Sequence, residues 1–316
     1  MAGQMSNERI KVLFISGWGR SGSTLLDNIL GQVDGFFSCG ELRLWARRFA
    51  TNYFCGCGAH LKECGVWREI LERAFGAIDE IDAQEMLTLF DRGCRLYHVP
   101  LMAVPGGDAI IERGIHRYLA NLEKLYREIH AVTGCRVIVD SSKFPPYGYA
   151  AGMLPSVDLY VVHLVRDPRA VAYSWLRQKG RTNGAHSDDP LYSRQLNPFQ
   201  CSVRWNILNL MTEMLWKQLP GRYVMLRYED FVRSPRQSLE SILTLVGESP
   251  TQLPLVAEDQ VEILVNHTVS GNPSRYKSGI VKLHLDEEWK SMMASRDIET
   301  VNFFTGFLRT KYRYGM

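Results

Sequence analysis

An apolar run from Ile10 to Ser16 stops at a glycine-bearing turn, Gly17-Trp18-Gly19-Arg20-Ser21-Gly22-Ser23-Thr24. The stretch after it, residues 23–33, carries Leu25, Leu26, Ile29, Leu30 and Val33 on one helical stripe. This succession constrains the fold more than any other feature. A short apolar run bounded by a turn reads as a strand buried on both faces, and a strand running through a tight turn into a helix is the opening half of a β–α–β unit. Further apolar runs at 136–140, 159–166 and 223–228 are separated by helical patterns. In 199–215, Val203, Ile207, Leu210, Met211 and Met214 recur at helical spacing, and Pro235 opens another helix to about Val246. Strands alternating with helices predict an α/β fold whose central, mostly parallel sheet is covered on both faces. No repeat is visible, and 316 residues suffice for one large domain, which we read as 1–316 with insertions near 39–65 and 180–198. The second insertion is long and polar, the pattern of a lid or binding segment as much as of a surface loop.

Composition removes several classes. A chain that is 46% hydrophobic and 22% charged is neither disordered nor collagenous. A net charge of +3 is too weak for a nucleic-acid-binding face and suits a small anion held by a few placed cations. No apolar run approaches the roughly 20 residues of a membrane span. The start, MAGQMSNERI, is polar with no signal-peptide core, so the expected location is cytoplasmic. An odd count of seven cysteines fits reduced thiols better than a disulfide framework.

The turn after the first strand is built for an anion. Glycines let the backbone curl around it, and the amides and dipole of the following helix face it. The loop is not of the Walker A type, because Ser23 stands where the triphosphate-binding lysine would be and the cation is Arg20. A kinase or nucleotidase would therefore lack its central residue. Val137-Ile138-Val139-Asp140 does resemble the strand-end aspartate that holds Mg²⁺ in nucleotide triphosphatases; without the lysine we weigh it as coincidence or shared ancestry.

With its form G-x-x-R-S-G-S-T-x-L, the loop resembles the 5′-phosphosulfate loop of sulfotransferases that use 3′-phosphoadenosine 5′-phosphosulfate (PAPS). That resemblance implies a P-loop NTPase-like three-layer α/β sandwich, with donor contacts at Trp18, Gly19, Arg20, Ser21, Gly22, Ser23 and Thr24. The segment Val161 to Trp175 resembles the family's 3′-phosphate element, a strand followed by R-D-P and a helix, with Arg166 and Ser174 at the two binding positions. Arginine offers a planar fork of donors to a phosphate. Arg227-Tyr228-Glu229-Asp230 with Pro235 resembles a further family segment that would set Tyr228 near the adenine. His267 with Gly271-Asn272-Pro273-Ser274-Arg275 resembles a donor-covering segment of bacterial members, in which Arg275 would assist phosphate binding.

The base is less direct. Cytosolic members carry a histidine two residues after a lysine; here Ser141-Ser142-Lys143-Phe144-Pro145 keeps the lysine and puts Pro145 in the histidine's place. The protein-tyrosine sulfotransferase branch supplies a glutamate in a G-E-x-x-R context, and Gly40-Glu41-Leu42-Arg43 matches it with the arginine displaced by one position. The resemblance implies in-line displacement. Glu41 is the base, with a pKa expected to be raised by burial; Arg20 and Lys143 neutralise charge, and Arg43 orients Glu41 or meets an acidic acceptor. A glutamate favoured by a helix dipole is the competing reading of Glu41. His98 and His267 stand in reserve. No metal is required by this scheme. The alternatives are a P-loop kinase or nucleotidase, and a nucleotide-binding module without turnover. The expected acceptor is a hydroxyl, or an amine, of a small metabolite or glycan, with neither nucleic acid nor membrane as partner.

Cys55-Gly56-Cys57 and Cys64 form a compact thiol cluster. Zinc sites usually show C-x₂-C pairs and four ligands; Cys39 is the available fourth thiol if the fold brings it close. We read the cluster as a structured loop beside the acceptor site, without metal. Cys94, Cys135 and Cys201 lie in apolar patterns and read as core. The basic, aromatic run Arg43 to Phe49 reads as a helix face with solvated arginines or as a wall for the acceptor.

Overall fold

The computed structural model describes residues 9–177 and 195–315. Of the predicted insertion at 180–198, all but its last four positions lies outside the described residues. Five strands form a wholly parallel sheet: β1 (Ile10–Gly17), β2 (Phe36–Gly40), β3 (Val137–Lys143), β4 (Val157–Val165) and β5 (Tyr223–Arg227), in the order β2-β3-β1-β4-β5. β1 shows why the sequence reads as a continuous apolar run. Val12 and Phe14 enter one core with the helices Gly107–Thr133 and Pro145–Gly152, while Leu13 and Ile15 enter a second with Ser23–Leu30 and Pro235–Leu245. Alternate side chains of a strand point to opposite faces, so a central strand of a three-layer sandwich has no face left for water.

The predicted strands are present within a few residues. The first helix ends at Leu30, three residues short of its predicted end; Gly31 is its C-cap, and the Gln32 and Val33 amides then bond Ile29 O and Leu30 O in tighter three-residue turns. The helix Pro198–Trp216 is present, but its buried face is not the predicted one. Trp205, Leu208, Asn209, Thr212 and Trp216 face inward, while Ile207, Leu210 and Met214 are exposed. The inward polar groups are satisfied: Asn209 meets His163 Nε2 at 2.8 Å, and the Thr212 and Ser16 hydroxyls lie 2.8 Å apart. Satisfied hydrogen bonds let polar residues line a core, which apolar periodicity cannot register.

Sequence patterning left several elements unassigned. They include the edge strand β2, the 27-residue helix Gly107–Thr133, the C-terminal helix Ser295–Lys311, and a small antiparallel sheet of β6 (Leu255–Ala257), β7 (Gln260–Ile263) and β8 (Gly279–Lys282). No described helix is long and apolar enough to cross a membrane. From β1 the chain moves outward to β2, returns to β3, then crosses β1 to reach β4. The chain's direction thus reverses at β1, and ligands of open α/β sheets bind in the crevice at the carboxyl ends beside such a switch point.

Candidate active site

Each strand of the parallel sheet delivers a component at its carboxyl end. β1 runs through the glycine loop into the helix Ser23–Leu30, whose Leu25 and Leu26 amides turn back to Gly22 O and whose Ser23 and Thr24 amides precede the helical ladder. Gly22 caps that helix at φ 89°, and a Cβ there would lie 2.4 Å from the Tyr228 ring. Only glycine satisfies both the left-handed backbone and the aromatic contact. Arg20 and Lys143 also hold left-handed backbone, at φ 69° and 64°. Each departure from the right-handed region costs about 1–2 kcal/mol for a residue with a Cβ. Such strain persists where surrounding contacts over-determine it, commonly at functional sites, and both residues line the same cavity. The Arg20 guanidinium lies 5.0 Å from the centre of the Trp175 ring, which stacks on Trp18 at 5.5 Å.

β2 ends at Gly40, which takes φ 69° and bridges to Ser270; a Cβ would meet the Ser270 carbonyl oxygen at 2.2 Å. The Glu41 amide donates to that same oxygen at 2.9 Å, turning the Glu41 side chain toward the end of β3. There Lys143 Nζ lies 2.8 Å from Glu41 Oε1. Arg43 Nη2 lies 3.5 Å from Oε2, and Arg43 Nε and N bond Ser142 O and Oγ, each at 3.0 Å. The one-position displacement of Arg43 therefore does not separate it from Glu41, because the chain forms a tight 3₁₀ turn over Leu42–Leu44. Glu41 is 4% exposed. The buried Glu41 carboxylate thus touches two cations, Lys143 and Arg43, which offset the cost of burying its charge.

β4 leads into Arg166, whose Nη1 donates to Arg20 O at 3.1 Å and whose Nη2 lies 3.6 Å from Asp286 Oδ2. Its guanidinium covers the Tyr228 ring at 4.6 Å, and its carbonyl accepts from Trp205 Nε1. Asp167 caps the next helix, Pro168–Leu176, which carries Ser174 to the same wall. Tyr228 follows β5 directly.

These pieces enclose a cavity of about 440 Å³ reached by Arg20, Glu41, Lys143, Arg166, Ser174 and Tyr228. Trp18, Gly19, Gly22, Ser23, Thr24 and Arg43 line it as well. A second space of about 350 Å³ shares Arg166, Tyr228 and Asp286 with the first, so the Arg166–Tyr228 stack stands between two open volumes.

Two predicted contacts do not line the cavity. Ser21 is buried behind the loop. Arg275 is also buried; its guanidinium donates to the carbonyls of Thr268 and Phe54 and to the Tyr276 hydroxyl, so its charge serves the loop around it. Among the described residues no histidine lines the cavity. His98 bonds Gly93 O, and His163 is buried between Tyr223 and Asn209, where desolvation pushes its pKa down to about 4. Asp140 is fully buried and accepts from the Ser142 amide and from the Tyr126 and Tyr147 hydroxyls. Burial raises its pKa, and it does not line the cavity. The run Arg43 to Phe49 is mostly packed: Trp45, Arg48 and Phe49 are buried and Arg47 alone is exposed.

Cavity residues that sequence reasoning did not assign to the site include Trp175, Arg177, Asn272, Ser274 and Asp286, whereas Arg47 belongs to the run read as a possible wall for the acceptor. Asn272 and Ser274 sat within the motif from which Arg275 was chosen, and the Asn272 amide reaches Thr24 Oγ1 at 3.2 Å. No local signal marks Asp286, which pairs with both Arg166 and Arg177.

Comparison with known proteins agrees with this geometry. Carbohydrate sulfotransferase 4 of Mus musculus is 34% identical over 110 residues, covering 29% of this chain and 26% of that protein. Carbohydrate sulfotransferase 2 of Homo sapiens is 25% identical over 187 residues, covering 48% and 34%. The matched segments thus span between a quarter and about a third of those relatives. A sulfotransferase domain from the curacin biosynthetic pathway superposes with a TM-score of 0.52 at 18% identity, covering 95% of this chain and 98% of that one, and so shares the fold. The sequence model of the sulfotransferase family matches residues 13–251, most of the sheet and every strand that borders the cavity, and the chain belongs to that family.

Proposed function

We propose that the protein transfers a sulfuryl group from PAPS to a hydroxyl of a glycan or a small hydroxylated metabolite. One observation carries this reading: a carboxylate and an ammonium 2.8 Å apart, Glu41 and Lys143, open onto the same cavity as an anion loop whose cation is Arg20. Phosphoryl transfer from a triphosphate has no use for that combination without the loop lysine. Buried donors on the cavity residues support a polyanionic ligand. Arg166 Nε and Trp175 Nε1 have no hydrogen-bond partner among the described residues, and buried donors are seldom left so.

When bound, PAPS supplies the sulfuryl group and departs as adenosine 3′,5′-bisphosphate. The first-turn amides with Ser23 and Thr24 hold the 5′-phosphate, Arg166 and Ser174 hold the 3′-phosphate, and Tyr228 packs on the base. Glu41 takes the proton of the acceptor hydroxyl as its oxygen bonds to sulfur; the electron pair of the broken S–O bond goes to the 5′-phosphate. Neutralising Glu41 loosens its hold on Lys143, whose ammonium then answers the charge building on the bridging oxygen. Arg20 faces the sulfuryl oxygens, and Arg43 keeps Glu41 aimed. Leu44 and Phe144 provide an apolar wall, with Arg47 at the mouth. The names of the two matched relatives favour a saccharide acceptor.

The test combines calorimetry with transfer of radiolabelled sulfate from PAPS to a panel of saccharides and phenolic or alkyl alcohols. Adenosine 3′,5′-bisphosphate should bind without help from Mg²⁺, and at least one hydroxylated acceptor should be labelled. Preferential binding of Mg²⁺–ATP with no labelled acceptor would overturn the reading.

A further inference from the structure

The cysteine-rich insertion meets a distant histidine. Cys55, Cys57, Cys64 and His267 place one donor atom each within 4.8 Å of one another. Cys57 Sγ and Cys64 Sγ are 3.8 Å apart, and His267 Nδ1 lies 3.3 Å from Cys64 Sγ and 3.8 Å from Cys55 Sγ. The fourth group is not Cys39, as the sequence allowed, but a histidine 203 residues after Cys64.

These distances fit a shared metal ion. Zn–S bonds of about 2.3 Å at the tetrahedral angle set sulfur atoms about 3.8 Å apart, and a sulfur and an imidazole nitrogen about 3.5 Å apart. A disulfide would need sulfur atoms at about 2.05 Å, and all seven cysteines are free thiols. We infer that Cys55, Cys57, Cys64 and His267 form a structural Zn²⁺ site. Three thiolates and one imidazole favour zinc over the hard cations. With four protein ligands the shell is closed, which marks a structural site and not a catalytic one. Binding is balanced by release of three thiol protons to solvent, with no change of oxidation state.

The surroundings are built to present these donors. Cys55 and Cys57 sit in a tight turn closed by the Cys55 amide to Ala59 O and the Gly58 amide to Cys55 O. Cys64 caps the 11-residue helix Gly65–Phe75, whose positive end favours a thiolate. The Trp67 indole donates to His267 O. The ion would clip the insertion to the segment after β7. That segment bonds the Gly56 amide through Thr268 O, Cys39 O through the Val269 amide and the Glu41 amide through Ser270 O. It continues to Asn272 and Ser274 on the cavity wall. The site thus lies three residues from the contact that sets Glu41, and this positioning role alone rests on the sulfotransferase reading.

The test is elemental analysis of full-length protein from zinc-supplemented culture, with Co²⁺ substitution read by absorbance. The wild type should carry about one zinc per chain and show the intense visible bands of tetrahedral, thiolate-bound Co²⁺. Cys57→Ser and His267→Ala should lose most of the metal, whereas Cys201→Ser, outside the cluster, should keep it. The cobalt spectrum and metal content of the wild type decide independently of whether the variants fold. Protein folded by circular dichroism with under about a fifth of an equivalent of zinc would overturn the inference. So would iron or copper in zinc's place, or a mass two hydrogens low from a Cys57–Cys64 or Cys55–Cys64 disulfide. None of these readouts depends on sulfuryl transfer.

Discussion

At the scale of single residues, the proposed chemistry rests on a buried pair. Glu41 and Lys143 are both largely withdrawn from water, and removing one partner strands the other's charge. Glu41→Gln keeps an oxygen for Lys143 Nζ while deleting the proposed base. We expect turnover to fall about 10²–10⁴-fold, the usual contribution of general-base catalysis, with affinity for adenosine 3′,5′-bisphosphate nearly unchanged by calorimetry. Lys143→Met should lower turnover and also the melting temperature, since it leaves the carboxylate with less compensation. Equal turnover in Glu41→Gln and wild type would remove Glu41 from the role. Arg166 makes a sharper contrast, because its fork already spans Arg20 O and Asp286. Arg166→Lys should weaken adenosine 3′,5′-bisphosphate by about tenfold or more, the worth of a charged hydrogen bond. It should change affinity for adenosine 5′-phosphosulfate, which lacks the 3′-phosphate, far less. Equal losses for both ligands would place Arg166 elsewhere on the nucleotide.

At the scale of elements, the helix Pro198–Trp216 separates pattern from packing. Its apolar stripe reads as the buried face, yet Met214 is 47% exposed while Thr212 is fully buried. Met214→Gln should shift stability by less than about 0.5 kcal/mol, as exposed substitutions do. Thr212→Val deletes the partner of the Ser16 hydroxyl and should cost about 1–3 kcal/mol in chemical denaturation. The opposite ranking would restore the periodic reading. Elsewhere periodicity served well. β1, β3 and β4 are legible because each carries a continuous apolar run, VLFI, VIV and LYVV, of the kind that a sheet covered on both faces requires. The edge strand β2, Phe36–Gly40, carries the mixed run FFSCG, and β6 to β8 are too short to show a period.

At the scale of the whole molecule, stability should depend on pH through a carboxyl that the site does not use. Asp27 is buried between its helix and β2, accepting from Ser38 Oγ, and burial pushes its pKa up to about 7. A pKa raised on folding stabilises the protein below the unfolded value, and that contribution is lost as pH rises through the folded one. Wild type should therefore lose stability relative to Asp27→Asn as pH rises from about 4 to about 7, by on the order of 3 kcal/mol. Denaturation of both proteins across this range checks it; a constant difference would show that Asp27 titrates normally.

Two parts of the site are written in contiguous sequence. The anion loop needs only a strand, glycines and a helix start, and Arg166 with Ser174 needs only a strand end and the helix after it. Local backbone geometry builds both, so residue order suffices to find them. Everything joined across the sheet was settled by tertiary structure. Glu41 meets Lys143 because β2 lies beside β3, although a long helical region separates them in the chain. His267 reaches the cysteines, and Arg275 turns from the cavity, because of how the segment after β7 docks on the end of β2. Strand order and loop docking depend on contacts between distant residues, and no spacing along a single chain encodes them.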